Sequence, residues 1–361
     1  MATDQIYSLD WTNCVKTIGR VFVYNGILWM SFSGTGVEFV CEGGFRAKLV
    51  GDLSAKNGET ERLARYCVFK DGELICDERM GVSENSIGLK AEGRHVFRLI
   101  KVSESEDSSL GLASLEAIEG ECVPSAPSKL KIEFVGDSIT CGYGVEGQIG
   151  ELFTTATENV SLAWPYLTAQ KLNADYSIVS KSGSGIISGY TATGERNTFN
   201  LFPPIYDRMG CSVNTVMEGA RPQDYEYDFA FEPDVVAVLL GTNDMSYCHP
   251  VDEKGNARML PEEELPRRKH FYSEYKEFIL HVRKQNPFAK IVCALGVMGE
   301  TLNGEVETVV KELNAEGDSR ICFVPLKNQN PEDGYGTDYH PSKITQEKLA
   351  ATMASFIEEI L

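Results

Sequence analysis

Hydrophobic and polar positions follow two different rhythms along this chain. Up to residue 122, short runs rich in Val, Phe and Tyr are broken at intervals by Gly, Asn, Asp and Ser. The clearest are Arg20–Tyr24, Gly36–Val40, Arg46–Val50, Arg65–Phe69 and His95–Val102. Short β-branched and aromatic runs with frequent turn residues predict an all-β domain, a sandwich or jelly roll, over 1–122. Val123-Pro-Ser-Ala-Pro-Ser-Lys129 then reads as a linker, because two closely spaced prolines favour extended backbone. From Leu130 to Leu361 the rhythm becomes one of strand and helix in turn. Strands are expected at 130–136, 176–180, 234–240, 289–295 and 320–325, and helices at 158–172, 265–286, 304–317 and 342–361. Strands separated by helices imply a parallel sheet with right-handed crossovers. The stretch 186–230 has no clear period and carries Tyr190, Phe199, Phe202, Tyr206, Tyr225 and Tyr227. A long aromatic segment of this kind beside a strand edge suits a functional loop.

Length and composition fit this division. A chain of 361 residues with 42% apolar content is comfortable for two well-buried cores. The net charge of -19 argues against nucleic acid and anionic membrane surfaces as partners. No apolar run approaches the roughly 20 residues of a membrane span. Met1-Ala-Thr-Asp-Gln5 has no basic stretch leading into an apolar core, so no signal peptide is expected and a cytoplasmic location is. The ten cysteines form no Cys-x-x-Cys pair. They are expected to be reduced and mostly buried, with no metal or organic cofactor required.

The chemistry gathers where strands end. Ile132-Glu-Phe-Val-Gly136 stops at Asp137-Ser138, which puts a hydroxyl at the carboxyl edge of a strand, the edge where open α/β sheets bind ligands. A serine there is either a nucleophile or merely a helix cap. Asn243 follows the apolar run Val235–Gly241 and projects from the same edge, where an amide donates to an oxyanion or steadies its own turn. Ser182-Gly-Ser-Gly185 follows the strand at 176–180. Glycines there let a backbone N–H approach an oxyanion, although a plain turn has the same composition. A base is found by elimination among His95, His249, His270, His281 and His340. His340 stands in a loop just before the last helix, whose start is marked by Pro341 and Ser342. His249 is its rival, a few residues after Asn243.

Gly136-Asp-Ser138, the 182–185 block, Gly241-Thr-Asn243-Asp and His340-Pro together resemble the SGNH (GDSL) hydrolase superfamily over residues 130–361. With the β-rich first part, the whole chain resembles carbohydrate esterase family 2, in which a jelly-roll domain precedes a flavodoxin-like SGNH domain. Phe231–Asp244 and Gly334–Ser342 carry that closer likeness. The resemblance implies Ser138 as nucleophile, His340 as base, and an oxyanion hole made by the Ser138 N–H, a glycine of the second block and the Asn243 amide. Spacing from the strand favours Gly185, with Gly183 the alternative.

Two departures stand out. Many SGNH enzymes place the orienting Asp three residues before the His, where this chain has Thr337; Asp338 lies two before. Either Asp338 or a backbone carbonyl must then orient His340. Tyr339 stands where related enzymes often carry Trp, and is expected to stack on a sugar ring. The expected activity is a serine esterase removing O-acetyl groups from mannan- or xylan-type oligosaccharides, on imported and already shortened glycans. A lipase or acyl-thioesterase, or a non-catalytic carbohydrate-binding protein, are the alternatives.

Overall fold

The structure is a computed structural model that describes residues 11–52, 60–212, 220–252 and 254–361. The chain divides into two units. The first takes Met1–Ser128, Thr154–Ala156 and Arg208–Tyr227, and the second takes the remainder.

The first unit is an antiparallel β-sandwich. Its strands are β1 (Lys16–Ile18), β2 (Val21–Tyr24), β3 (Ile27–Met30), β4 (Gly36–Gly51), β5 (Arg65–Lys70), β6 (Glu73–Arg79), β7 (Glu84–Lys101) and β8 (Leu110–Pro124). They run in the order β2-β3-β8-β4-β7-β5-β6, with β1 on β4. The Gly36–Val40 and Arg46–Val50 runs, separate in the sequence pattern, are two halves of β4. Its register against β7 shifts between Glu42 and Gly44, where Gly43 and Gly44 take φ of 72° and 95°. A Cβ on Gly44 would lie 2.0 Å from the Leu89 carbonyl oxygen, so only glycine fits this bulge. The core gathers Leu28, Met30, Phe39, Phe45, Tyr66, Phe97 and Leu112.

β8 runs on to Pro124, so the first two residues of the expected linker, Val123 and Pro124, are strand. Two later segments also return to this unit. Thr155 Oγ1 donates to the carbonyls of Glu61 and Leu63 at 2.9 and 2.7 Å. Buried Arg20 donates to the Arg208 carbonyl and lies 4.0 Å from the Tyr227 ring centroid. Glu38 is buried. Burial alone would raise its pKa, but Arg98, Lys16 and the Ser125 hydroxyl outweigh that and hold the carboxyl at about 2.

The second unit has five parallel strands: β9 (Lys131–Gly136), β10 (Asp175–Ser180), β11 (Val235–Leu239), β12 (Lys290–Leu295) and β13 (Ile321–Pro325). The expected parallel sheet is thus borne out, in the order β10-β9-β11-β12-β13. Every residue of β11 is buried, as covered parallel strands require. The helices are α1 (Ser138–Cys141), α2 (Trp164–Lys171), α3 (Pro203–Tyr206), α4 (Thr242–Cys248), α5 (Pro261–Gln285), α6 (Asn303–Ala315) and α7 (Lys343–Ile360). α5 starts four residues before the expected position. Pro261 takes its first turn, where a missing N–H costs nothing, and Pro266 is carried inside. Strand order reverses between β9 and β11, which opens a crevice beyond their carboxyl ends.

Candidate active site

The crevice is lined from both strands. Gly136 ends β9, and Asp137 caps α1 by accepting the Ile139 N–H at 3.1 Å. Ser138 is therefore the first residue of a helix, where a backbone N–H has no intrahelical acceptor. α4 begins directly after β11 and brings Asn243 and Asp244 to the same edge.

His340 reaches Ser138 from the loop between β13 and α7. Its Nε2 lies 2.8 Å from Ser138 Oγ. Its Nδ1 lies 3.1 Å from the carbonyl oxygen of Thr337, which also accepts the His340 backbone N–H at 3.0 Å. A carbonyl only accepts, so Nδ1 carries the hydrogen and Nε2 offers its lone pair to the serine hydroxyl. Burial lowers the imidazole pKa, with the Thr337 carbonyl and the Asp338 charge opposing it. His249, the rival base, instead pairs through Nδ1 with Glu264 at 2.8 Å.

Asp338 does not hold the imidazole. Its carboxylate accepts the Tyr143 hydroxyl at 2.9 Å. Asp338 and Tyr339 both adopt left-handed backbone, with φ of 51° and 60°, and this turn directs the Thr337 carbonyl at the ring. Tyr339 is 59% exposed; its backbone carbonyl accepts from Gln329 Nε2 at 2.8 Å and its ring meets the Tyr335 ring edge-on at 5.7 Å.

The expected oxyanion donors are placed less simply. Asn243 Nδ2 donates to the Ser184 carbonyl at 2.9 Å and to Asp137 Oδ2 at 3.2 Å. The Gly185 N–H, the expected second-block donor, is given to the Asn200 carbonyl at 3.1 Å. That bond corrects the expectation, because it closes a backbone excursion that the strand spacing does not reveal. The Gly183 N–H has no acceptor among the described residues.

Two buried carboxylates beneath the site escaped the sequence reading. Asp244 accepts the N–H groups of Ile186, Ile187 and Ser188 at 2.8, 2.7 and 3.0 Å. A Cβ on Gly185 would come within 2.6 Å of the Asp244 carboxylate, so the glycine serves this close packing. Burial pushes Asp137 up to about 7, against the Ile139 N–H and with help from the nearby Asp244 charge. Burial likewise pushes Asp244 up to about 6, against its three loop N–H donors. Their place in the Gly-Asp-Ser and Gly-Thr-Asn-Asp blocks, right after apolar strands, was the signal available. Tyr143 was also missed, and no local pattern marks it.

Residues 134–347 match the GDSL-like Lipase/Acylhydrolase family. The chain is 32% identical over 279 residues to a protein named Cellulase/esterase CelE from Acetivibrio thermocellus; the match covers 75% of this chain and 31% of that protein. It is 26% identical over 320 residues to an "Acetylxylan esterase / glucomannan deacetylase" of Cellvibrio japonicus, covering 85% of this chain and 81% of that one. In structure it is similar to a family two carbohydrate esterase from Clostridium thermocellum in complex with cellohexaose. That likeness has a TM-score of 0.77 and 27% identity, and covers 96% of this chain and 98% of the other. An acetyl xylan esterase from Butyrivibrio proteoclasticus shares the fold with a TM-score of 0.81 at 23% identity, over 96% of each chain. The strand-end serine, the histidine against it and the matched span agree: the chain belongs to the GDSL-like lipase/acylhydrolase family.

Proposed function

We propose that this protein is a serine esterase that removes O-acetyl groups from plant-type oligosaccharides, acetylated mannan or xylan fragments, through an acetyl-enzyme on Ser138. The observation that carries the reading is the 2.8 Å approach of His340 Nε2 to Ser138 Oγ, with a carbonyl on the far ring nitrogen. Ser138 Oγ attacks the acetyl carbonyl as its proton passes to Nε2. The oxyanion is met by the Ser138 N–H at the start of α1, the Gly183 N–H and the Asn243 amide, which gives up its longer bond to Asp137. Collapse expels the sugar hydroxyl, which takes the proton from His340. Water, deprotonated by the same imidazole, then releases acetate and restores the serine. The names of the curated relatives and the cellohexaose complex of the structural neighbour support a carbohydrate ester as substrate.

Mass spectrometry of acetylated manno- and xylo-oligosaccharides incubated with the protein tests the substrate, and each acetyl lost appears as a fixed mass step. Ser138→Ala is expected to abolish acetate release with the fold intact. On nitrophenyl esters, activity is expected to fall steeply from acetate to octanoate. A flat or rising profile would favour an acyl groove and the lipase or thioesterase reading instead.

A further inference from the structure

His340 works without a carboxylate on its ring, which leaves a chemical problem. Each proton transfer creates an imidazolium, and the Thr337 carbonyl fixes the tautomer but brings no negative charge to stabilise that cation. Tyr143, just past α1, is placed to answer this. Its ring centroid lies 4.4 Å from that of the imidazole, with planes 41° apart, so the imidazole packs against an aromatic ring. The Tyr143 ring is itself steadied by Phe153, stacked at 4.1 Å with planes 7° from parallel. The Tyr143 hydroxyl donates to Asp338, in the left-handed turn that points the Thr337 carbonyl at Nδ1. One side chain thus touches the base through its ring and the base's loop through its hydroxyl.

Resting on the reading of His340 as the base, we propose that Tyr143 is the positioning residue that supplies what a triad carboxylate supplies elsewhere. The negative face of its ring stabilises the imidazolium, and its hydroxyl pins the turn that sets the tautomer. An aromatic face attracts a cation within about 6 Å of its centroid, more strongly where water is excluded. Donation of the hydroxyl to an anionic carboxylate enriches the ring and strengthens that attraction. The groups around the imidazole are the Ser138 hydroxyl, the Thr337 and Asp338 backbone carbonyls and the Tyr143 ring, with the Asp338 charge acting on it from its bond to Tyr143. Asp338 is the charged member of that set, and its field raises the imidazole pKa against burial.

The two roles separate by substitution. Tyr143→Phe keeps the ring and loses the pin, whereas Tyr143→Leu loses both. The His340 ring is titrated by NMR in the full chain without substrate, so the result is independent of any esterase assay. Tyr143→Leu is expected to lower the His340 pKa by roughly half a unit to one unit, the shift that a cation–π contact of ordinary strength provides. Tyr143→Phe is expected to stay within a few tenths of the parent. With an acetyl ester, kcat is expected to fall about five- to tenfold for Tyr143→Leu with KM nearly unchanged, and Tyr143→Trp to restore most of it. Pentafluorophenylalanine at position 143 keeps the shape of phenylalanine and weakens the face charge, so it serves if the leucine variant does not fold. Its His340 pKa is expected below that of Tyr143→Phe. An unchanged His340 pKa in the leucine or fluorinated variant overturns the proposal, as does an equal drop in Phe and Leu. Failure of the parent protein to release acetate would sink the esterase reading alone and leave the titration result standing.

Discussion

At the scale of single residues, the site is a set of side chains placed by strand ends, and three of them were legible. Ser138 and Asn243 each follow an apolar run at the edge where such sheets bind ligands, and His340 was reached by elimination. The partner of the imidazole was not legible. A two-residue offset says only that Asp338 sits on another side of an extended loop. Here two consecutive left-handed residues turn its carboxylate to Tyr143 and bring the Thr337 carbonyl to Nδ1. Asp338→Ala is therefore expected to lower kcat by less than about tenfold, against about 10⁴ for the carboxylate of a full triad. The acid limb of its activity should also lie lower than the parent's, since the Asp338 charge raises the His340 pKa. In the parent that limb should already lie below the ordinary imidazole value of 6.5, because burial lowers the pKa and leaves the base neutral further into acid. Kinetics of acetate release between pH 4.5 and 8.5 would check both. A loss of a thousandfold for Asp338→Ala would return that residue to the ring.

Secondary-structure elements were read well where one period dominates and poorly where a tertiary contact decides. The five parallel strands are five or six residues long and centred on short apolar stretches, of which β11 is the purest, and their positions follow largely from that. The sequence pattern divides β4 into Gly36–Val40 and Arg46–Val50, yet Gly43-Gly44 between them is a bulge that keeps its ladder with β7. The first half of β7, Glu84 to Gly93, stands outside the runs singled out from the sequence, although Ile87, Leu89 and Ala91 alternate there with exposed residues and pack on the core. The 183–202 excursion, beside the candidate site, is a second case. Its shape comes from bonds between distant positions: Gly185 N–H to Asn200, Gly189 N–H to Asn197, and the Ile186–Ser188 amides to Asp244. Asp244 thus lets α4 hold the loop that contains both candidate glycine donors. Asp244→Asn replaces one accepting oxygen with an NH₂ group that faces N–H donors. It is expected to cost about 10- to 100-fold in kcat, somewhat less than outright removal of an oxyanion donor, with little change in KM. Faster hydrogen exchange at Ile186, Ile187 and Ser188 should accompany the loss. Unchanged exchange with a normal kcat would make the carboxylate a bystander.

For the molecule as a whole, the sequence announced two architectures but not the return of Thr154–Ala156 and Arg208–Tyr227 to the β unit. Those segments carry no strand pattern, and their place depends on partners such as Arg20 and Glu61 far away in the chain. Nor does composition foretell how stability responds to pH, because buried carboxyls in the two units are treated in opposite ways. Glu38 in the β unit is held at about 2, so it contributes stability above its unfolded pKa that is lost as pH falls toward 2. Asp137 and Asp244 run the other way. Their folded pKa values, about 7 and about 6, lie above the unfolded ones, so the folded state binds more protons than the unfolded state between about 4 and 7. Their stabilising effect is therefore complete below pH 4 and is lost as pH rises through 6 and 7, at about 1.4 kcal/mol per pH unit for each group while that difference lasts. Asp137→Asn removes one of the two titrations. Its fixed cost, from placing an NH₂ group near the Asn243 amide, is the same at every pH. The melting temperature of Asp137→Asn minus that of the parent should therefore rise from pH 5 to pH 7 and level off above it. Scanning calorimetry of both proteins across that range would measure the slope. A difference that stays flat would mean that Asp137 is already ionised at pH 5, and that the donors around it outweigh its burial.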